Sequence, residues 1–360
     1  MIIIGCDFHP EFQQVAMVDT ESGEYRQARL QHQEQARAFY AALVGKPVRV
    51  GFEACGYTQW LEPLLSAMGH QWRRGDAAQI RACMTRRQKT DQRDADPILT
   101  LLLENRFPAI WVPSPAERDV RQLLMHRHKA VQRRPRVKNQ LQALAIHQGL
   151  RLRHQMWTQS GQKRLQALEL LPYAAQRRQE LLALLGTMER VLAPLAAAVA
   201  RQAAARPAAV RLMTHPGVGP VTALAFVLTS GDVTRLPRAR PVASYLGLIP
   251  CRGQFGGKQR LGRLSKQGNA LLRFLRVEAA HHARRGDAEL RRCYSRLLHR
   301  PASGVAKVAI ARKLAVRLYW MLRCDLEYAQ LKVVRMPASP SHPVVARKID
   351  RLSGPLASRS

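Results

Sequence analysis

The tightest constraint on the fold is a short N-terminal run, "IIIGCDF" (2–8), in which β-branched and apolar residues lead straight into an acid. That pattern is typical of a buried strand. The segments that follow supply its neighbours. "QQVAMVDT", the turn "ESGE" and "YRQARLQ" complete a three-strand meander. "HQEQARAFYAALV" has helical spacing, and "PVRVGFEA" reads as a fourth strand. "TQWLEPLLSAMG" is a helix with Gly69 at its end, and "HQWRRGD" a fifth strand. Residues 1–113 therefore read as an α/β domain.

The hydrophobic period then changes. Residues 114–205 read as long helices, opening with Ser114 as N-cap and Pro115 at the first helical position. The first helix carries a basic face of Arg121, Arg127, Lys129, Arg133, Arg134, Arg136 and Lys138, and Pro135 is expected to kink it. Residues 160–204 are Leu/Ala-rich and amphipathic without sustained heptads, which suits a helical arm. Residues 206–330 form a second compact, mostly helical unit, and 331–360 a basic Pro/Ser-rich tail expected to be disordered. The expected fold class is α/β + α.

Charge narrows the partners. The 360 residues include 58 Lys+Arg against 25 Asp+Glu, a net charge of +33. Self-repulsion of that size points to a polyanionic partner. A protein that merely coats nucleic acid is the bland alternative, and an anionic membrane a weaker one. No apolar run of about 18 residues and no secretory signal is read. Six scattered cysteines without a C-x-x-C pair indicate neither a zinc finger nor a disulfide scaffold, and fit a reducing cytosol.

In so basic a chain, the acids of "QKTDQRDADPI" (88–98) stand out: Asp91, Asp94 and Asp96. Asp7 ends the first strand and Glu53 the fourth, where strand ends of an α/β sheet face the ligand crevice. Four carboxylates there would make an all-oxygen cage suited to Mg²⁺, and two such ions serve phosphodiester chemistry. Asp91 and Asp94, three apart, share a face if they lie on a helix. The alternative makes Asp91 a helix N-terminal residue favoured by the dipole and Asp94 its solvated neighbour. Asp96 reads as the N-cap of a helix with Pro97 at its first position. A helix starting only there leaves Asp91 and Asp94 on the lead-in, where their spacing guarantees nothing.

Together "GCDFH", "GFEACGY" and "KTDQRDA", with "HPGVGPVTALAF", "ASYLGLIP" and "GGKQRLGRLSKQGNALLRFLRVEAA", resemble a family of insertion-sequence transposases with an N-terminal DEDD domain, over about residues 1–325. The resemblance implies a RuvC-like (RNase H-type) mixed-sheet domain, a long helical connection, and a C-terminal transposase domain bearing a nucleophilic serine. It implies Mg²⁺ (or Mn²⁺) held by Asp7, Glu53, Asp91 and Asp94. It also implies cleavage and exchange of donor and target DNA under a structured guide RNA. A homo-oligomer, dimer or tetramer, acting on the nucleoid in a prokaryotic cytoplasm is expected.

In the C-terminal half, "PGVGPVTA" (216–223) reads as a helix-hairpin-helix type of turn. Gly217 and Gly219 would let the backbone approach a phosphate held by the next helix start. An ordinary Gly-rich helix connection is the alternative. "GGKQRLGRLSKQGN" (256–269) reads as a flexible basic loop, with Lys258, Arg260, Arg263 and Lys266 suited to a nucleic-acid backbone. The family's serine precedes this glycine pair. Here the position holds Phe255, after Gln254, and phenylalanine cannot form a phosphoserine linkage. Ser265 matches a later family serine, better suited to a helix N-cap or phosphate contact than to replacing the nucleophile. The expected function is a transposase/DNA recombinase impaired at its covalent step. The rivals are an inactive nucleic-acid-binding homologue and an RNase H-like nuclease or junction resolvase.

Overall fold

A computed structural model describes residues 1–83, 94–236, 238–255, 258–265, 268–298 and 303–333. The chain divides into two compact units, Met1–Val112 and Pro113–Ser360.

In the first unit, β1 (Ile2–Phe8), β2 (Phe12–Asp19) and β3 (Tyr25–Gln31) form the antiparallel meander. After α1 (Glu34–Ala41), β4 (Val48–Glu53) pairs parallel to β1. After α2 (Leu61–Ala67), β5 (Gln71–Gly75) pairs parallel to β4. Two helices follow, α3 (Ala77–Cys83) and α4 (Asp96–Leu103). The sheet order is β3-β2-β1-β4-β5, the mixed sheet expected of a RuvC-like domain.

Successive strand residues alternate between two covered faces. Ile2, Ile4, Cys6 and Phe8 pack with Val48, Val50 and Phe52 under Tyr40, Leu61 and Leu65 of α1 and α2. Ile3 faces the other way, into a cluster with Ile98, Leu99 and Leu102 of α4. Burial on both faces explains why β1 carries almost no polar residue.

The second unit opens with α5 (Pro115–His147). Ser114 and Glu117 form a reciprocal capping box at its start, and Pro135 lies within the helix without ending it. Next come α6 (Gln159–Gln166) and α7 (Pro172–Ala204), the latter packed along α5. At the far end of this pair, Val137, Leu141 and Ala145 share a small core with Leu165, Leu181 and Leu185. By length and composition α7 is apolar enough to cross a membrane, although Glu189 and Arg190 interrupt its apolar run.

The main core of this unit joins Val120, Leu124, Val199 and Ala203 of the long helices to the residues that follow. Those form α8 (Pro207–Met213), α9 (Pro220–Ser230) and α10 (Ala239–Tyr245), then a hairpin of β6 (Pro250–Phe255) and β7 (Lys258–Leu264). The chain continues through α11 (Ala270–Gly286), α12 (Ala288–Leu298), α13 (Ser303–Arg323) and α14 (Tyr328–Val333). Asp287, 2% exposed, ties the last three together. It accepts from Leu290 N (2.7 Å), Arg317 Nη1 (2.6 Å) and Tyr328 Oη (2.5 Å).

His215, in the α8–α9 connection, is 1% exposed, with its ring centroid 4.5 Å from that of Tyr328. Burial pushes its pKa down to about 4, against a hydrogen bond to Pro216 O that favours the charged form. The folded state thus keeps His215 neutral where the unfolded chain, near pH 6.5, takes a proton. This contribution is intact above pH 6.5 and is lost as pH falls towards 4. Denaturant unfolding at pH 7 and pH 4.5 should differ by roughly 2–3 kcal/mol from this group. His215→Gln should lose that much of the difference, and an unchanged difference in the variant would assign the acid sensitivity to other groups.

Candidate active site

The alternation that builds the sheet also aims the acids. Counting by twos from Ile3, Gly5 and Asp7 lie on the α4 face of β1. In β4, Gly51 and Glu53 lie on that same face, since Val50 and Phe52 are in the opposite cluster. Cys6 pairs with Phe52 in the parallel ladder, so Asp7 and Glu53 are the next residues of two neighbouring strands.

Gly5 brings α4 onto this face. A Cβ there would stand 2.5 Å from both Ala95 O and Leu99 N, so only glycine lets the helix backbone lie directly on β1. Gly51 makes a similar seat for the Leu102 side chain. Asp94, half-buried, immediately precedes Ala95 and is carried with it.

The electrostatics record the convergence. Burial pushes the Asp7 carboxyl above its ordinary range. His9 opposes this, while the charges of Asp94 and Glu53 add to it. Two side chains stand against the acids. His9 Nε2 lies 3.0 Å from Asp7 Oδ2, without hydrogen-bond alignment, and Arg81 Nη2 donates to Glu53 Oε1 at 3.0 Å. Glu53 and Asp94 thus lie within electrostatic reach of Asp7, while Asp91 lies outside the described residues. Among the described residues no three or more His, Cys, Asp or Glu side chains are placed to hold a metal ion. By chemistry the donors suit a hard divalent cation: oxygen ligands, with a half-buried Asp7 carboxylate made costly to ionise by desolvation first and by the neighbouring acids second.

Sequence reasoning missed His9 and Arg81. The offset of two residues from Asp7 was a usable signal for His9, whereas nothing in "QIRAC" singles out Arg81. It also misassigned Asp96. Ala95 is the N-cap of α4, with no side-chain bond, and Asp96 is already helical. The Asp96 carboxylate instead accepts from Tyr25 Oη (2.7 Å) and Gln27 Nε2 (2.9 Å) of β3. Two donors on an adjacent strand outcompete one backbone N–H.

In the second unit the two glycines of "PGVGP" separate. Gly217 has φ +79° and sits where a Cβ would lie 2.4 Å from Ala283 N, so helix packing alone requires glycine there. Gly219 is the N-cap of α9, with open space around it and no side-chain cap on the helix start.

The expected basic loop is in fact the hairpin. Phe255 pairs with Lys258, and Gly253 with Arg260, so Phe255 and Lys258 close the ladder on either side of the glycine pair. Cross-strand pairing overrides a Gly/Lys/Arg-rich composition that resembles a loop. Arg263 is exposed on β7, and Lys266 lies outside the described residues. Ser265 is not the cap of α11: Asn269 is, accepting from Leu272 N at 3.0 Å. The Ser265 amide donates to Ile249 O (2.9 Å), while its hydroxyl is shielded and has no hydrogen-bond partner among the described residues.

Comparison with known proteins adds the lineage. A family model for DEDD transposases of the IS110 type, described as "Transposase", matches residues 4–146. A second, described as "Transposase IS116/IS110/IS902 family", matches residues 209–295. The chain is similar to a "Probable family 20 transposase" of Pseudomonas aeruginosa, 30% identical over 329 residues, covering 89% of this chain and 96% of the relative. It is also similar to the "Transposase for insertion sequence element IS1111A" of Coxiella burnetii, 26% identical, covering 79% and 81%. A third relative, the "Transposase for insertion sequence element IS1328" of Yersinia enterocolitica, is 26% identical, covering 77% and 84%. With both halves matched by its models and a relative similar across nearly its full length, the chain belongs to the IS110/IS116/IS902 family of transposases, proteins that act on DNA.

Proposed function

We propose that the chain is a DNA recombinase of an insertion sequence whose N-terminal acids work with Mg²⁺ or Mn²⁺ to cleave and exchange strands. The convergence of Asp7, Glu53 and Asp94 on one face of the sheet carries this reading, with Asp91 as the fourth ligand. The chemistry such ions supply is activation of an attacking oxygen and stabilisation of a leaving one. Asp7 and Glu53, on adjacent strands of a rigid sheet, fix the spacing of the donors. Arg81, paired with Glu53, partly balances that acid's charge, and His9 stands beside Asp7.

In the second unit, the uncapped start of α9 after Gly219 offers backbone N–H groups to a phosphate. The hairpin cations Lys258, Arg260 and Arg263, with Lys266 beyond them, complete a DNA-backbone surface. A guide RNA and assembly of two or four copies belong to the same reading.

A second reading rests on Phe255. In the covalent step implied by the resemblance, a serine hydroxyl gives up its proton, its oxygen bonds to phosphorus, and the bond from phosphorus to the departing strand breaks. Phe255 has no oxygen to offer, so this chain would bind its nucleic acids without forming the adduct.

One substitution separates the readings. Full-length Phe255→Ser, incubated with donor and target duplexes, the element's RNA and Mg²⁺, should yield a protein–DNA adduct that survives denaturing electrophoresis. The wild type should yield at most a trace. Equal adduct in both proteins would move the nucleophile to another residue, Ser265 first. No adduct in either would leave the binding-protein reading in place.

A further inference from the structure

The acids and the hairpin use little of the chain's positive charge. Residues 120 to 168 contain eleven Lys and Arg and no Asp or Glu. Most of that stretch is α5, and the helix sorts its cations by face. Arg134 points towards α7, where Glu189 Oε1 meets its Nη1 at 3.3 Å. Lys138 lies over the Trp157 ring at 4.6 Å. Lys129, Arg133 and Arg136 are exposed, and none has an ion-pair or hydrogen-bond partner among the described residues. With Gln132 they form one exposed patch on the helix surface.

Their spacing of four and then three residues stacks the three charges in one row about 10 Å long. Like charges so placed destabilise a helix that already carries Pro135. A solvated helix face usually interleaves acids to relieve such repulsion. The chain does relieve it on the inner side, at Arg134, and leaves the outer row bare.

We propose that this row on α5 is a docking surface for the sugar-phosphate backbone of duplex DNA, separate from the acids and the hairpin. Duplex is favoured over single strands because α5 has no Phe, Tyr or Trp on which unpaired bases could stack. A straight row of cations on a stiff helix suits regularly spaced phosphates and reads no sequence. The inference rests on the recombinase reading for its choice of DNA, but its test is one of binding.

The experiment measures affinity of the full chain for a duplex of about 30 base pairs and arbitrary sequence, from roughly 50 to 200 mM salt, the range over which phosphate contacts weaken visibly. The variant is Lys129→Gln, Arg133→Gln, Arg136→Gln, since glutamine keeps the helix propensity. A charge-matched control carries Arg37→Gln, Lys46→Gln and Arg106→Gln, all exposed in the first unit. Three lost phosphate contacts should flatten the log–log salt slope by about 2.7. The wild type and control should therefore lose roughly 40-fold more affinity across that range than the variant does.

A variant slope equal to the wild type's would overturn the α5 assignment and leave the recombinase reading intact, as would an equal loss in the control. A parallel arm with single-stranded RNA should show little change, and a loss confined to that arm would overturn the choice of duplex. Loss of the slope in a protein whose Phe255→Ser form makes no adduct would uphold the docking surface while the recombinase reading fails.

Discussion

Asp7→Asn should abolish stabilisation of the chain by Mn²⁺ or Mg²⁺ and, in a Phe255→Ser background, should cut strand cleavage at least about a thousandfold. The second figure follows from losing several kcal/mol of metal-assisted stabilisation, each 1.36 kcal/mol being tenfold. The first follows from linkage: a ligand present at 100 times its Kd stabilises the state that binds it by about 2.7 kcal/mol. Asparagine keeps the shape and one oxygen but removes the charge that makes the cluster a cation site. The metal-free variant should not be weakened. Asp7 is held above the ordinary carboxylate range by burial and by the Asp94 and Glu53 charges, with His9 opposing. Ionising it therefore costs folding stability as pH rises from the unfolded value of about 3.9 through the raised folded one. At pH 7 the variant avoids that cost. Thermal melts with chelator and with Mn²⁺ would check both statements, and a metal-induced shift that survives in the variant would place the ion elsewhere.

The second large effect is expected at Gly5. Gly5→Ala puts a methyl group 2.5 Å from Ala95 O and Leu99 N, both backbone atoms of the α4 turn that carries Asp94. Backbone cannot swing aside as a side chain can, so α4 must lift from β1. Overpacking of this kind costs about 3 kcal/mol. Gly51→Ala is the comparison: its methyl group meets Leu102 Cδ1 at 2.7 Å, the far end of a flexible side chain, and should cost about 1 kcal/mol. Denaturant titration should rank the two in that order. Gly5→Ala should also blunt the Mn²⁺ response, because it moves Asp94 from Asp7. Equal stabilities would mean that α4 does not depend on the glycine seat.

Much of this site was legible in the residues. Period-two alternation from Ile3 sets Asp7 on one face, and the same count in "VRVGFE" sets Glu53 beside it. The five strands and the first two helices of the first unit followed from apolar spacing and the Ser114 cap from its residue type, whereas α3 was not read. What was not legible depends on contacts between distant segments. Asp94 reaches Asp7 through the close approach at Gly5, although an isolated glycine inside a strand pattern is a known mark of such an approach. Asp96 was claimed by a strand about 70 residues earlier, through Tyr25 and Gln27. The β6–β7 hairpin has a composition that disfavours strands, and only its ladder makes it one.

The Arg81–Glu53 pair has a consequence for the order of events. Arg81 is 69% exposed, so its pairing with Glu53 is held by less than about 1 kcal/mol. A divalent ion would displace it at little expense, and the guanidinium would then stand free beside newly bound positive charge. The weakness of the pair would leave Glu53 available to any cation that the cluster takes up.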